Sequence, residues 1–447
     1  MLEGRKQDMK NSWLRKSMMV GTIIVLVGAS VVSAFSRNIS IDTKPLNRGN
    51  TLYVGGSGPG NYTRIQDAID NTSDGDIVFV YDDSSPYVEP LLINKSIILI
   101  GEDKNTTIID GNQEGSYGCN IEITADSVVV SDFTFLNTKG YYHFSILKIH
   151  SNENQISNNI FNPTRRCRGI YLLNGERNLI TENSFYGIYN DGITIEYANN
   201  TIITENMCEG EDSGIVIYDS NNNIVSRNQL LSTFFIGIFV RGRNNTISEN
   251  CIWHAEDATL AAGIKVVGNL IFDINTIYKN RIEYCENGIL TVGYSSCIKE
   301  NIISNCDYGI WLLSSTGNII SQNNISNNEE GIHVSSGILN IISYNDIVSN
   351  NVTGIQLWAG FKNEILNNNI CWNKRDAQNL YCKRARWYAN YWGDTMISLK
   401  ILFGKGRIFL GTRMNEHGHP EEVYFYYPKI DIDWKPAQGP YDIPGMS

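Results

Sequence analysis

Four carboxylates, Asp191, Asp212, Glu286 and Asp307, stand one or two residues ahead of Gly-Ile pairs, as does Glu330. Glycoside cleavage needs two carboxyl groups held ~5–9.5 Å apart, one to protonate the leaving oxygen and one to act as base or nucleophile. Asp191 with Asp212, and Glu286 with Asp307, are the pairs whose spacing can meet that demand, as weak candidates for catalysis. A solvated acidic edge is the competing reading. A second set, Tyr171, Glu196, Tyr218, Phe239 and Arg241, offers aromatic faces for stacking sugar rings and charged groups for bonding hydroxyls. Metal chemistry has less to work with. Of six histidines only His417 and His419 are close in sequence, no Cys-x-x-Cys occurs among nine cysteines, and no ligand motif for copper or calcium is evident.

The elements that must position these residues are set by a repeat. Gly-Ile recurs at Gly169, Gly192, Gly214, Gly237, Gly263, Gly288, Gly309, Gly331 and Gly354, in steps of 21 to 26 residues. A β-branched residue followed three positions later by Asn keeps the same beat, from Ile156/Asn159 to Ile365/Asn368. Such a period signals a solenoid. Units this short, rich in Ile, Val, Asn, Ser and Gly, with apolar residues alternating as in Ile193 and Ile195, hold short strands and tight turns. Stacking them gives an all-β, right-handed single-stranded parallel β-helix. The Asn column predicts a hydrogen-bonded ladder in buried turns. Each Gly before Ile fits either a positive φ or a close approach of neighbouring backbones.

The repeat also divides the outward positions of the Gly-Ile strands into two columns. One runs Tyr171, Thr194, Val216, Phe239, Lys265, Leu290, Trp311, His333 and Gln356. The other runs Leu173, Glu196, Tyr218, Arg241, Val267, Val292, Leu313, Ser335 and Trp358. Cys285 and Cys306 each follow a ladder Asn by five residues, so a disulfide between neighbouring coils is geometrically open to them. Cys371 and Cys382 are placed to close a loop at the end of the array.

Residues 1–36 read as a signal peptide or an N-terminal membrane anchor. Arg5, Lys6, Lys10, Arg15 and Lys16 precede an apolar run over residues 18–32, and Val32-Ser33-Ala34 fits a signal-peptidase site. Either reading puts the remainder outside the cytoplasm, with membrane contact only through an uncleaved segment. The whole chain carries −11, and residues 1–34 hold five basic and two acidic side chains, so the remainder is near −14. Bulk charge of that sign argues against a nucleic-acid partner. Residues 37–50 form a linker and 51–373 the β-helix. Residues 62–71, with Ile65, Ala68 and Ile69 at helical spacing and Thr63 available as a cap, predict a short helix over the open first coil. A bulge over 253–268 lengthens two coils. Residues 374–447, rich in Trp, Tyr and Phe, form a C-terminal capping extension expected to dock along the apolar strip Leu290, Val292, Trp311, Leu313 and Trp358. Nine Asn-x-Ser/Thr sequons run from Asn38 to Asn351; in so Asn-rich a chain several are expected by chance, and on an exported chain some of them are candidate glycosylation acceptors.

Several stretches carry a resemblance. Tyr53-Val-Gly-Gly-Ser-Gly-Pro-Gly-Asn-Tyr-Thr63, Ile65-Gln-Asp-Ala-Ile-Asp70 and Leu99-Ile-Gly-Glu-Asp103 resemble the opening of archaeal secreted β-helix proteins. The repeats, with Asn390-Tyr-Trp-Gly393 after them, resemble the NosD-like group of the pectin-lyase-like superfamily, and residues 433–444 resemble the tail of archaeal members. The resemblance implies a β-helix scaffold. It implies copper-site maturation of nitrous oxide reductase for NosD itself, and carbohydrate binding or cleavage for other relatives. The polygalacturonase set of Asn-Thr-Asp, paired Asp, Gly-His-Gly and Arg-Ile-Lys is absent from the array: Asp82-Asp83 precedes it, and Gly418-His419 is followed by Pro420. The expectation is therefore an exported cell-surface protein that binds a polysaccharide or cell-envelope glycan. A polysaccharide hydrolase or lyase, an accessory copper-handling protein and a structural surface rod are the alternatives.

Overall fold

A computed structural model describes residues 49–443, apart from 112–118, 139–143, 164–166, 189, 256–259, 269–273, 295, 394–399, 415–419, 434–435 and 438. The N-terminal apolar run, His143, His417, His419 and part of the 253–268 bulge lie outside the described residues. Among these residues no helix is long and apolar enough to cross a membrane.

Each coil supplies a Gly-Ile strand, a short strand leading to the ladder Asn, and a third strand; Asp191–Glu196, Ile202–Thr204 and Met207–Glu209 make one such coil. Every strand pairs in parallel with its counterpart one coil away. The first two kinds join in a 30-stranded sheet, and the third kind forms a 12-stranded sheet. The fold is a parallel β-helix. Its core is a set of columns: Ile170, Ile193, Ile215, Ile238, Ile264, Ile289, Ile310, Ile332 and Ile355 are in register and fully buried. On the third strands Phe135, Phe161 and Phe185 stack at 5.0 and 4.7 Å between ring centroids.

The predicted Asn ladder forms. The backbone N–H and the side-chain amide of Asn183 both donate to Oδ1 of Asn206, at 3.0 and 3.1 Å, and the pattern repeats through Asn228, Asn250, Asn280, Asn301, Asn323, Asn345 and Asn368 to Asn390. It ends on Asp433, which is fully buried. That carboxylate accepts from the N–H groups of Ala389 and Asn390, from the Asn390 amide and from Trp392 Nε1, at 3.0 to 3.2 Å. The residue before each ladder Asn holds a left-handed φ, as at Glu182, Glu205 and Arg227. A second column, including Asn223, Asn245 and Asn275 and later Asn318, Asn340 and Asn363, repeats the bonding.

One open alternative is decided, and two expectations resolve differently. The repeat glycines are close-approach positions, not positive-φ turns: a Cβ on Gly192 would lie 2.8 Å from the Gly214 carbonyl oxygen, and one on Gly331 2.5 Å from that of Gly354. The helix, Ile65–Asp70, buries Ile65, Ala68 and Ile69 as predicted, but Thr63 does not cap it. Glu89 from the next coil does, accepting the N–H groups of Ile65 and Gln66 at 2.8 and 3.2 Å, and Lys95 Nζ donates to carbonyls at its other end. All nine cysteines are free thiols. Cys285 and Cys306 each donate to the carbonyl two residues back, Glu283 and Ser304. In-register parallel residues hold their Cβ atoms near the ~4.8 Å strand spacing, wider than the ~3.8 Å of a disulfide.

Beyond residue 373, Ala377–Leu380 and Arg386–Tyr388 continue the stack, and an antiparallel hairpin of Lys400–Met414 with Pro420–Asp433 joins it. Within the expected strip Leu290 is fully buried, and the Trp358 ring meets Tyr381 of the extension edge-on at 5.8 Å. Further along, Tyr441 bonds Asn369 and the Ala389 carbonyl and packs on Tyr344.

Candidate functional site

The outward columns are in the predicted register, so Tyr171 faces Thr194, Glu196 faces Tyr218, and His333 lies between Trp311 and Gln356. Cross-strand neighbours on one face of a sheet interact, and here they do so through rings and charges. The Tyr171 hydroxyl donates to Glu196 Oε2 at 2.7 Å, and the Arg168 guanidinium lies 4.9 Å from the Tyr171 ring centre. Burial, with the Glu196 hydrogen bond and charge, pushes the Tyr171 phenol up to about 12. One coil further, the Tyr218 and Phe239 rings are 5.0 Å apart, and Arg241 lies 5.0 Å over Tyr218. Arg241 is held in place by a two-pronged pairing with Asp219, at 2.8 and 2.6 Å. The structure thus gathers all five predicted ligand-binding residues on four consecutive coils, in two clusters that adjoin where Glu196 faces Tyr218, while the buried Thr194 and Val216 stand between Tyr171 and Phe239.

Sequence reasoning missed Arg168, Asp219 and Tyr197. Asp219 and Tyr197 each follow an outward residue, and a left-handed φ of 45° and 51° turns them out of the alternation that defined the columns. Tyr197 is 52% exposed. Beyond it on the same coils lies a polar groove of about 390 Å³, lined by Asn199, Asn221, Arg243 and Asn244 among others.

The carboxylate pairs fare unequally. Asp191 is in register with Ser213, not Asp212. It accepts a hydrogen bond from Thr194 at 3.0 Å and faces Arg168 Nε at 3.6 Å. Burial, opposed by Thr194 and Arg168, raises its carboxyl above the usual range. Glu286 and Asp307 precede the paired residues Asn287 and Tyr308, so they stand level on adjacent coils. Burial and the neighbouring Asp307 charge raise Glu286. Glu330 leaves this edge: it is in register with Tyr308, and its Oε2 lies 2.6 Å from His333 Nδ1.

The family model described as periplasmic copper-binding protein (NosD) matches residues 69–265 and 242–405. The chain belongs to the NosD family. No curated protein matches it. Among solved structures, it resembles an alginate lyase complex with a TM-score of 0.53 and 12% identity, covering 84% of this chain and 91% of that one. It also resembles a PL6 alginate lyase bound to a trisaccharide (0.49, 14% identity, 77% of this chain and 86% of that one). A third likeness is the periplasmic alginate epimerase AlgG (0.47, 15%, 72% and 84%). At 12% identity the likeness to the first of these shows the fold alone. The copper in the family's description does not fit the described residues, among which no three His, Cys, Asp or Glu side chains converge. His150 is 3.4 Å from Glu122, and His333 is committed to Glu330 and Ser335. Calcium meets the same objection, since it needs six to eight oxygen ligands.

Proposed function

We propose that this NosD-family chain binds a polysaccharide or cell-envelope glycan along the outward face of its Gly-Ile strands, outside the cytoplasm. The observation that carries the reading is the pre-arranged set of rings and charges on four coils: Tyr171 fixed by Glu196 and Arg168, and Tyr218 and Phe239 beside an Arg241 fixed by Asp219. Rings held this way stack on sugars without losing rotamer freedom, and partly exposed carboxylate and guanidinium groups bond hydroxyls. An open sheet face suits a chain-like ligand more than a small molecule, which favours a closed cavity. The alginate lyase of the same fold acts on alginate, which supports a polysaccharide as the ligand class. The basic and apolar N-terminal segment and the family's periplasmic description support export.

A glycan-array screen of the full chain, followed by titration of each hit, tests this. Tyr218→Ala and Phe239→Ala should each weaken binding roughly tenfold, about 1.4 kcal/mol. Absence of binding to any glycan, or hits unaffected by both substitutions, would overturn it. A second reading, glycan hydrolysis, rests on Glu286 and Asp307 standing one coil apart with Glu286 raised. That spacing is near the ~5–5.5 Å of retaining enzymes. Reducing-end release from array hits, lost in Glu286→Gln, would establish it.

A further inference from the structure

Glu330, His333 and Ser335 occupy one strand, Glu330–Ser335, at positions i, i+3 and i+5. The turn places the acid at the foot of the strand, and the two-residue period points His333 and Ser335 outward side by side. They form a continuous hydrogen-bonded chain. Glu330 Oε2 is 2.6 Å from His333 Nδ1, and His333 Nε2 is 2.7 Å from Ser335 Oγ. One arrangement of protons satisfies every member of the chain with the ring neutral. A carboxylate only accepts, so Nδ1 carries the hydrogen, and Nε2 of the neutral ring is then an acceptor. Trp311 Nε1, which can only donate, points its hydrogen at Ser335 Oγ from 3.2 Å. In that arrangement Oγ receives from the indole and donates its own proton to Nε2. This is the protonation state a serine nucleophile with a histidine base requires, with the carboxylate orienting the ring.

We infer that Ser335, His333 and Glu330 form a serine-hydrolase triad that cleaves acyl esters, with a short O-acyl group on a sugar as its substrate class. The activity goes beyond glycan binding at Tyr171–Arg241 and does not depend on it. Ser335 is half-buried and in register with Trp358, which is 45% exposed, and with Leu313 on the other side. Those two apolar side chains flank Oγ and suit an acyl chain, while the Trp358 ring offers a face to a sugar. Oγ attacks the ester carbonyl as its proton passes to Nε2. The tetrahedral intermediate expels the alcohol, which takes that proton, and leaves an acyl-Ser335. Water, deprotonated by Nε2, attacks the acyl group; the carboxylic acid departs and Oγ regains its proton. Trp311 Nε1–H, 3.2 Å from Oγ, is the one donor this chain shows beside the reacting oxygen, and it would have to turn from Oγ to the oxyanion as the tetrahedral intermediate forms. A single donor stabilises it less than the usual pair, where losing one costs about 10²–10³ in rate, so an ester and not an amide is the bond within reach.

The full chain is incubated with a fluorophosphonate probe and, separately, with p-nitrophenyl acetate. The expected result is one phosphonyl adduct, mapped by mass spectrometry to Ser335, and ester turnover that falls at least about a hundredfold in Ser335→Ala and in Glu330→Gln. Circular dichroism of each variant confirms the β-helix. Wild-type protein that is folded but leaves Ser335 unlabelled, or turnover that persists in Ser335→Ala, overturns the assignment. Glycan-array binding is read independently, so either result leaves the Tyr171–Arg241 reading where it stood.

Discussion

Glu211 is fully buried and neither of its carboxyl oxygens has a side-chain hydrogen-bond partner. It lies five residues after the ladder Asn206, the position held further along by Asn328, Asn350 and Asn373, whose amides bond from coil to coil. Its neighbours are Cys208 and the repeat glycine Gly192, and Thr233, five residues after the next ladder Asn, is also without a partner. Desolvation dominates: backbone N–H groups of Glu211 and Glu209 favour the charged form, the Glu209 charge opposes it, and the carboxyl is pushed up to about 8 from 4.5. The folded value exceeds the unfolded one. Between them the folded chain holds a proton that the unfolded chain has released, so stability falls as pH rises through this window and the loss is complete above pH 8. At 1.36 kcal/mol per pH unit the whole window amounts to about 5 kcal/mol. Glu211→Gln keeps the shape and removes the ionisation. Denaturant unfolding of both proteins from pH 5 to pH 9 should show the variant's advantage growing with pH, by several kcal/mol between the ends. The difference between the two proteins cancels the effect of all other titrating groups. A stability difference that stays flat across that range refutes the reasoning.

Asp433→Ala strips the acceptor from four donors at the end of the Asn ladder. The loss should exceed about 3 kcal/mol, and hydrogen exchange should quicken first in the coil ending at Asn390. Glu89→Ala uncaps the Ile65–Asp70 helix and should cost about 0.5–2 kcal/mol in denaturant unfolding, whereas Thr63→Ala should cost little, since Thr63 caps nothing.

The scaffold was legible because a β-helix writes its register into the sequence. Once Gly-Ile and the β-branched/Asn pair were aligned, each inward Ile, each ladder Asn and each outward column followed, and the pairing of Tyr171 with Thr194 or Ser335 with Trp358 is what the period demands. Contacts that leave the period were not legible. Asp219 reaches Arg241 from a left-handed turn residue, off the alternation. Glu330 groups with the acidic edge by composition, although Gly331 follows it directly, as Gly192 follows Asp191, while Asp212, Glu286 and Asp307 stand one residue further from their glycines. That single step moves it from the edge to the foot of the strand, where it meets His333. The glycines were ambiguous for a related reason: the absence of a side chain serves a positive φ and a tight backbone approach equally, and only distances such as the 2.8 Å at Gly192 separate them.

A repeat of this kind separates scaffold from chemistry within each coil. Inward positions and ladder turns are interchangeable between coils, so a change there alters stability in the manner of a one-dimensional array. Outward positions meet only their neighbours one coil above and below, so a functional constellation must be assembled from adjacent coils or along a single strand. Hydrogen-bonded outward groups of both kinds occur here: Tyr171 with Glu196 across coils, and Glu330, His333 and Ser335 along one strand. A family model that reads the repeat therefore recognises the inward positions and the turns. The outward substitutions that decide the ligand have to be read coil by coil, which is why a copper-binding family description and a face built of rings, guanidinium groups and a serine–histidine–glutamate chain stand on the same scaffold.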